Sequence, residues 1–375
     1  VAPSPDRADV AVIGAGITGL FAALHLARRG QRVVVFERGR AMAEASGVNA
    51  GSLGVQNKLL PLVPLALAAL EEWRGLAGLL GAEVGFVEAG GWRVACSEAE
   101  RDLLAQSAAA QAALGVGIAW FEGGALRVRA PVFGPHVLAA TYTAVDSYGS
   151  PLLLARVLRE AAVAAGVVLH EHAPVTAIAP GSAWLVETAG QSLSAERVLV
   201  AAGPWTEQLM APLGVALPLS LDVNMVSVTA PGRRFMPGIV FHARGILTVK
   251  QLASGACLIG GGWQGEGTLD GVGTAEIEYE NLLHNLRLAA RVLPRLRALS
   301  LVRHWAGFES VTPDALPYLG AVPDRPGLFV AAGTRGGWTL GPAIGRHLAS
   351  LMSGDPAPAL DAFSPARLQR EAAYA

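Results

Sequence analysis

The first forty residues alternate between buried-strand and helical patterns. Residues 9–13 are an apolar run with β-branched side chains, as in a strand covered on both faces. Residues 20–29 repeat apolar positions at helical spacing, and Gly30 stands where a helix C-terminus takes glycine. Residues 32–36 are a second apolar run that ends at Glu37. The order predicts a β-α-β unit.

Farther along, helical periods predict helices over 62–80, from Ser97 to about 114, and over 151–166, 276–293 and 341–352. Ser97 followed by Glu98 and Glu100 has the form of an N-cap with an acidic first turn. Short apolar runs predict strands over 90–95, 167–171, 174–178, 197–203 and 328–333. Residues 217–230 and 239–262 alternate or run apolar between turns, which suits an antiparallel sheet. Strands ending near residues 14, 203 and 333 stop at glycines, and open α/β sheets bind ligands at the carboxyl ends of their strands. Those ends are predicted to meet around one ligand. No internal repeat or linker separates the pieces, so two interleaved domains are expected.

The first turn reads Gly14-Ala15-Gly16-Ile17-Thr18-Gly19, and Glu37 follows 18 residues after the last glycine. Gly14 permits the tight turn, Gly16 lets a pyrophosphate approach the backbone, and Gly19 lets helix and strand pack closely. The pyrophosphate then rests on a helix N-terminus, and Glu37 accepts from ribose hydroxyls. Three glycines alone say little. In sequence with strand, helix, strand and acid they predict a dinucleotide site, without separating NAD from FAD. The small-residue segment 46–53 is placed to pass close over such a cofactor.

Composition narrows the class. Of 375 residues 52% are hydrophobic and 16% charged, which excludes a disordered chain. A net charge of −1 offers no basic excess for nucleic acid. Cys96 and Cys257 have no metal-ligand spacing, so no metal is expected and a reducing compartment fits. No run of about 20 apolar residues predicts a transmembrane segment. Asp6 and Asp9 stand where a signal peptide is basic, which points to a cytoplasmic protein. The low charged fraction suggests a homo-oligomer or a heteromeric partner subunit.

Further segments stand out in order: Gly90-Gly91-Trp92, Pro174-Val175, Ala201-Ala202-Gly203-Pro204-Trp205 and Trp305-Ala306-Gly307-Phe308. Thr312-Pro313-Asp314-Ala315-Leu316-Pro317-Tyr318-Leu319-Gly320 follows, then Ala331-Ala332-Gly333 with residues 335–342. With residues 12–19 and 46–53, they make the chain resemble the glycine oxidase, D-amino-acid oxidase and sarcosine oxidase group of FAD enzymes over nearly its whole length. Residues 49–56 are most similar to catalytic subunits of the hydrogen cyanide synthase, opine oxidase and hydroxyproline dehydrogenase kind.

The resemblance implies an α/β fold of D-amino-acid oxidase type, glutathione-reductase-like. A Rossmann-like FAD-binding domain would cover 1–80, 146–215 and 305–375. An antiparallel-sheet substrate domain would cover 81–145 and 216–304. The implied reaction oxidises the C–N bond of an amino acid or secondary amine, passing a hydride to flavin N5 and then electrons to oxygen or another acceptor. Oxidation of a 2-hydroxy acid, or a non-catalytic FAD-containing subunit of a heteromeric dehydrogenase, are the alternatives. Carried over residue by residue, Gly14, Gly16, Ile17, Thr18 and Gly19 would hold the pyrophosphate, and Glu37 and Arg38 the ribose. Ser46, Asn49, Ala50, Gly51 and Leu53 would line phosphate and flavin. Val175 would read adenine, with Ala202, Gly203 and Trp205 beside the adenosine. Gly307, Gly333, Arg335, Gly336, Gly337, Trp338 and Thr339 would surround the flavin, with a helix N-terminus near Gly341 aimed at it.

The chain departs from that pattern near the substrate. Relatives that act on simple amino acids carry an arginine for the carboxylate where this chain has Glu309. Either Arg335 takes the carboxylate, or the substrate carries a cationic or hydroxyl group there, or Glu309 turns to a cation such as Arg303. A tyrosine over the substrate is replaced by Ile246. His242 is expected near the pocket, and His242, Glu309, Arg335 and Trp338 are the candidate catalytic residues, with His304 a weaker one. Lys250 is expected to be a solvated or outer charge. No cysteine stands near 308–310, so non-covalent FAD is expected. Residues 257–260 lack the lysine with which sarcosine oxidases assist oxygen, a slight lean toward a dehydrogenase.

Overall fold

A computed structural model describes residues 6–271 and 273–368, so the outermost ends of the predicted first and last segments, 1–5 and 369–375, lie outside the described residues. Two eight-stranded sheets organise the chain. The first is built on parallel pairs: Arg7–Ile13 lies between Val33–Phe36 and Ser192–Val200, and Ser192–Val200 pairs on its other side with Leu328–Ala332. Val168–His170 extends the parallel set beside Val33–Phe36. Tyr318–Ala321, Trp184–Thr188 and Val175–Ala179 add antiparallel strands. The central strands are apolar at nearly every position because helices or packed chain cover both faces.

Helix Ile17–Arg28 follows the first strand and packs against Gly337–Met352. The two axes approach closely: a Cβ on Gly345 would lie 2.5 Å from Cβ of Phe21. Val63–Leu80 and Pro151–Ala164 complete this layer, and Trp73, Leu70, Leu154 and Leu158 fill the space between.

The second sheet runs Leu301–Val311, Ser220–Thr229, Cys257–Gly260, Thr248–Gln251, Ile239–His242, Gly91–Ala95, Ala139–Thr143 and Ala119–Glu122. Its pairs are antiparallel except one: Ile239–His242 lies parallel to Gly91–Ala95. Those two strands come from separate segments of the chain, so no hairpin constrains their direction. Trp92 is fully buried there among Phe121, Phe133 and Tyr142.

Some boundaries move. The strand Leu301–Val311 lies wholly in the second sheet, so a boundary at 305 falls inside it. The helix expected from 276 starts at Tyr279, where the Glu278 carboxylate accepts from the N–H groups of Glu280 and Asn281. The last long helix starts at Gly337, a turn before the expected 341, with Pro342 inside it. The Gly336 N–H donates to Glu309 and the Gly337 N–H to the Thr334 carbonyl, which closes the entry turn before Gly341 is reached. The helix Gly123–Arg129 and its flanking strands have no counterpart in the sequence reading.

Candidate active site

The carboxyl ends of Arg7–Ile13 and Ser192–Val200 open into one cavity of about 1170 Å³ that continues to the face of the second sheet. Sites for drug-sized ligands occupy ~300–1,000 Å³. This one has room for a dinucleotide and a small substrate together.

One end is built by the glycine turn. Gly14 has φ +102°, and a Cβ there would lie 2.4 Å from the Ala201 carbonyl oxygen, so the turn fits only glycine. Helix Ile17–Arg28 begins without a capping side chain of its own. The Ile17 N–H donates instead to Ser46 Oγ at 2.9 Å, which ties the loop 46–53 over the helix start. First-turn N–H groups have no partner inside a helix, and here Gly16, Thr18 and Gly19 line the cavity. A Cβ on Gly16 would meet only Ser46 Oγ, at 3.3 Å, so the space beside it is open. The Glu37 carboxylate accepts from the Ala15 and Gly39 N–H groups, each at 2.8 Å. Both oxygens are thereby fixed at the cavity wall with lone pairs to spare for hydroxyl donors. Arg38 lies over the Trp205 ring, Cζ 3.9 Å from its centre, and forms the wall on the side of Val175, Ala202 and Gly203. Open backbone, helix start and tethered acid together fit the diphosphate and ribose of a dinucleotide.

In the loop over the cavity, Asn49 Oδ1 accepts from the Gly51 N–H at 2.7 Å while its amide donates to the carbonyls of Ala45 and Ser46. Trp305 Nε1 donates to the Val48 carbonyl at 2.6 Å, joining this loop to the second sheet. Val48 then fills the place of a side chain on Gly307, where a Cβ would lie 2.1 Å from Cγ2.

The other end is charged. Glu309 projects beside Asn224 and Gly336: Oε1 accepts from the Gly336 N–H at 2.7 Å, and Oε2 from Asn224 Nδ2 at 2.8 Å. Asn224 is held in turn by Gln264, whose amide donates to Asn224 Oδ1 at 3.0 Å. Burial raises the Glu309 pKa, and the hydrogen bond from Gly336 opposes it. Its partner is therefore not Arg303, which is exposed on the same strand. Arg335 is half-exposed and sits 3.6 Å from Asp222. Trp338 lines the cavity and packs at a tilt on Trp73, ring centres 5.1 Å apart. Ile246 lines the cavity.

Five predicted residues do not line it. Leu53, Gly333 and Thr339 are buried behind the wall; the Thr339 carbonyl accepts from Trp73 Nε1, and Gly333 packs against Thr312. His242 is the larger correction. It is buried at the end of its strand, its Nδ1 accepts from the Arg244 N–H at 3.2 Å, and its Nε2 faces Glu100 Oε2 at 3.2 Å. Nδ1 is thus the acceptor and Nε2 carries the proton toward Glu100. Burial lowers its pKa, and the Glu100 carboxylate opposes that shift. Cys96, Glu100 and His242 bring their ligand atoms within 4.8 Å of one another, but the ring presents an N–H there rather than a lone pair. His304 packs edge-on against Tyr279, also away from the cavity.

Two lysines change the picture. Lys250 is not solvated: it is buried, its amine 4.9 Å from the centre of the Tyr148 ring and 2.9 Å from where a Cβ on Gly51 would sit. Burial lowers its pKa to about 7. Lys58, which sequence reading passes over, reaches the charged end, and its Nζ donates to the Gly336 carbonyl at 3.3 Å. Its pKa falls to about 8 through burial, resisted by Glu309 and Asp146.

A two-sheet architecture with an open glycine turn, a tethered ribose acid and a charged pocket at the sheet junction defines a dinucleotide-dependent oxidoreductase. The family model for FAD dependent oxidoreductases matches residues 9–351, and the chain belongs to that family, with FAD as its cofactor. It is 34% identical to glycine oxidase of Geobacillus kaustophilus over 362 residues, covering 92% of this chain and 93% of that one. The crystal structure of glycine oxidase from the same organism superposes with a TM-score of 0.89 at 31% identity, over 97% of this chain and 99% of that one. An opine oxidase subunit from Rhizobium meliloti is 27% identical over 86% of this chain and 88% of its own length. Among the described residues no helix is long and apolar enough to cross a membrane.

Proposed function

We propose that the protein oxidises the C–N bond of a small amino acid or secondary amine. The observation that carries this reading is the continuity of the cavity, which runs from Gly16 and Glu37 past Gly51 to Glu309, Arg335 and Lys58. The dinucleotide end and the charged pocket are one space, and the similarity to glycine oxidases spans both. FAD, when bound, supplies a two-electron acceptor. In that oxidation the C–H bond next to nitrogen would break with its electron pair going as hydride to that acceptor, the nitrogen lone pair would form the C=N bond of an iminium, and loss of its N–H proton would give the imine. Water then hydrolyses the imine to a carbonyl compound and a free amine.

The chain's own residues position this chemistry. Ser46 and Asn49 hold the loop that covers the reacting region. Trp338 and Ile246 give it apolar walls that exclude water. Glu309, fixed by two donors, retains lone pairs for an N–H of the substrate.

The test is an anaerobic visible titration of the purified flavoprotein with primary and secondary amino acids, simple amines and 2-hydroxy acids. Bleaching of the flavin band by an amine supports the reading, and the speed of colour return in air separates an oxidase from a dehydrogenase. Bleaching by hydroxy acids alone would overturn it.

A further inference from the structure

We infer that Lys58 is the residue that receives the substrate's carboxylate, in place of the arginine that Glu309 displaces. The inference rests on the reading of the cavity as the oxidation site.

Lys58 opens onto the cavity at its charged end. Among the described residues its ammonium has no carboxylate within ion-pair distance, and its acceptor is a peptide carbonyl, that of Gly336 at 3.3 Å. An ammonium offers three donors, so two remain. Its backbone is held firmly. Gln111 Nε2 donates to the carbonyls of Gln56 and Lys58 at 3.0 and 3.2 Å, and buried Asp146 accepts from the Val55 N–H at 2.6 Å and from Gln56 Nε2 at 2.9 Å. A cation on a fixed backbone with spare donors, in a partly desolvated pocket, is prepared for an anion.

The other cations near the charged end are engaged: Arg93 donates to Ser107 Oγ and to the carbonyls of Gln56 and Ala243, and Arg244 lies 3.6 Å from Glu100. Arg335 leans toward Asp222 at 3.6 Å and is half-exposed. The Gly336 peptide then divides the two charges: its N–H holds Glu309 and its carbonyl holds Lys58. Substrate carboxylate on the Lys58 side and amine on the Glu309 side satisfy both, and this polarity orients the molecule.

The probe is acetate, which carries the carboxylate and no amine. Binding is read as the perturbation of the flavin spectrum and as the rise in Tm, neither of which requires turnover. In Lys58→Met the half-saturating acetate concentration is expected to rise at least about tenfold, and in Lys58→Arg to return to within about threefold of wild type. Arg335→Met is expected to change it less than Lys58→Met. FAD content reports whether each variant folds, and Lys58→Gln serves if Lys58→Met does not. Wild-type affinity in Lys58→Met or Lys58→Gln, no acetate response in the wild type, or a larger loss in Arg335→Met would overturn the assignment. If acetate binding depends on Lys58 while no amine bleaches the flavin, the C–N reading fails and the anion site stands.

Discussion

The Glu309 carboxylate meets the Gly336 N–H at 2.7 Å and so joins the edge strand of the second sheet to the entry of helix Gly337–Met352. An acid at this position is part of the junction between the two sheets, whatever it does for substrate. Glu309→Gln keeps an acceptor for Gly336 but turns an amide N–H toward Asn224 Nδ2, and is expected to cost less than Glu309→Leu. Glu309→Leu strips acceptors from Gly336 and Asn224 and is expected to cost about 1–3 kcal/mol. Urea unfolding of the FAD-loaded variants measures the difference. Equal midpoints for Glu309→Leu and wild type would show that the junction does not depend on this contact.

Lys250 sets a pH dependence. Burial alone lowers its pKa to about 7 from the usual lysine range. Between about pH 7 and pH 10 the unfolded chain keeps a proton that the folded chain has released, so this residue's contribution to stability rises with pH across that window. Below about pH 7 both states are protonated and the full cost of burying the charge remains. Lys250→Met, of similar length and without charge, is expected to stabilise the protein by about 1–3 kcal/mol near neutral pH, with the gain shrinking toward pH 10. Thermal melts of both proteins across this range test it; a gain that does not vary with pH would refute the titration.

Glu37 carries two duties, and two measurements on one substitution read them apart. Its carboxylate holds the Ala15 and Gly39 N–H groups and stands at the ribose end of the cavity. Glu37→Ala is expected to weaken FAD by at least about tenfold, since a charge-assisted hydrogen bond contributes about 1.5–3 kcal/mol. Flavin retained after ultrafiltration gives the affinity, and circular dichroism reports whether the chain stays folded. Undiminished flavin occupancy would remove Glu37 from the cofactor site.

Much of the nucleotide end is legible in the sequence because its determinants are local. Strand, glycine turn, helix and Glu37 lie within about thirty residues, so period and spacing place them together. The substrate end is assembled from distant segments. Lys58 and Gly336 meet across 278 positions, and neither carries a pattern that announces the other. His242 departs from expectation for the same reason: Glu100, on a separate helix, takes its ring out of the cavity. Lys250 reads as a surface charge because its strand alternates, yet Tyr148 and Gly51 cover the side it points to. The family resemblance marks Glu309 as a departure, but only geometry shows that Asn224 and Gly336 hold it.

The two glycines that open the motif separate folding from cofactor binding. At Gly14 the backbone is left-handed, and an added Cβ would press on the Ala201 carbonyl at 2.4 Å, just past the end of the strand pair that founds the first sheet. Gly14→Ala is therefore expected to yield little folded protein, since neither backbone can withdraw without breaking that pairing. At Gly16 the backbone is extended, with φ −71° and ψ 177°, which alanine adopts freely. Its Cβ would meet only the Ser46 hydroxyl at 3.3 Å, so the apo fold takes it with a shift of that side chain by a few tenths of an ångström. The same methyl group would occupy the space in which a diphosphate approaches the helix start. Gly16→Ala is expected to fold with a circular dichroism spectrum like that of the wild-type apoprotein and to take up FAD at least about tenfold more weakly. A folded Gly16→Ala that binds FAD as tightly as wild type would move the diphosphate away from this turn.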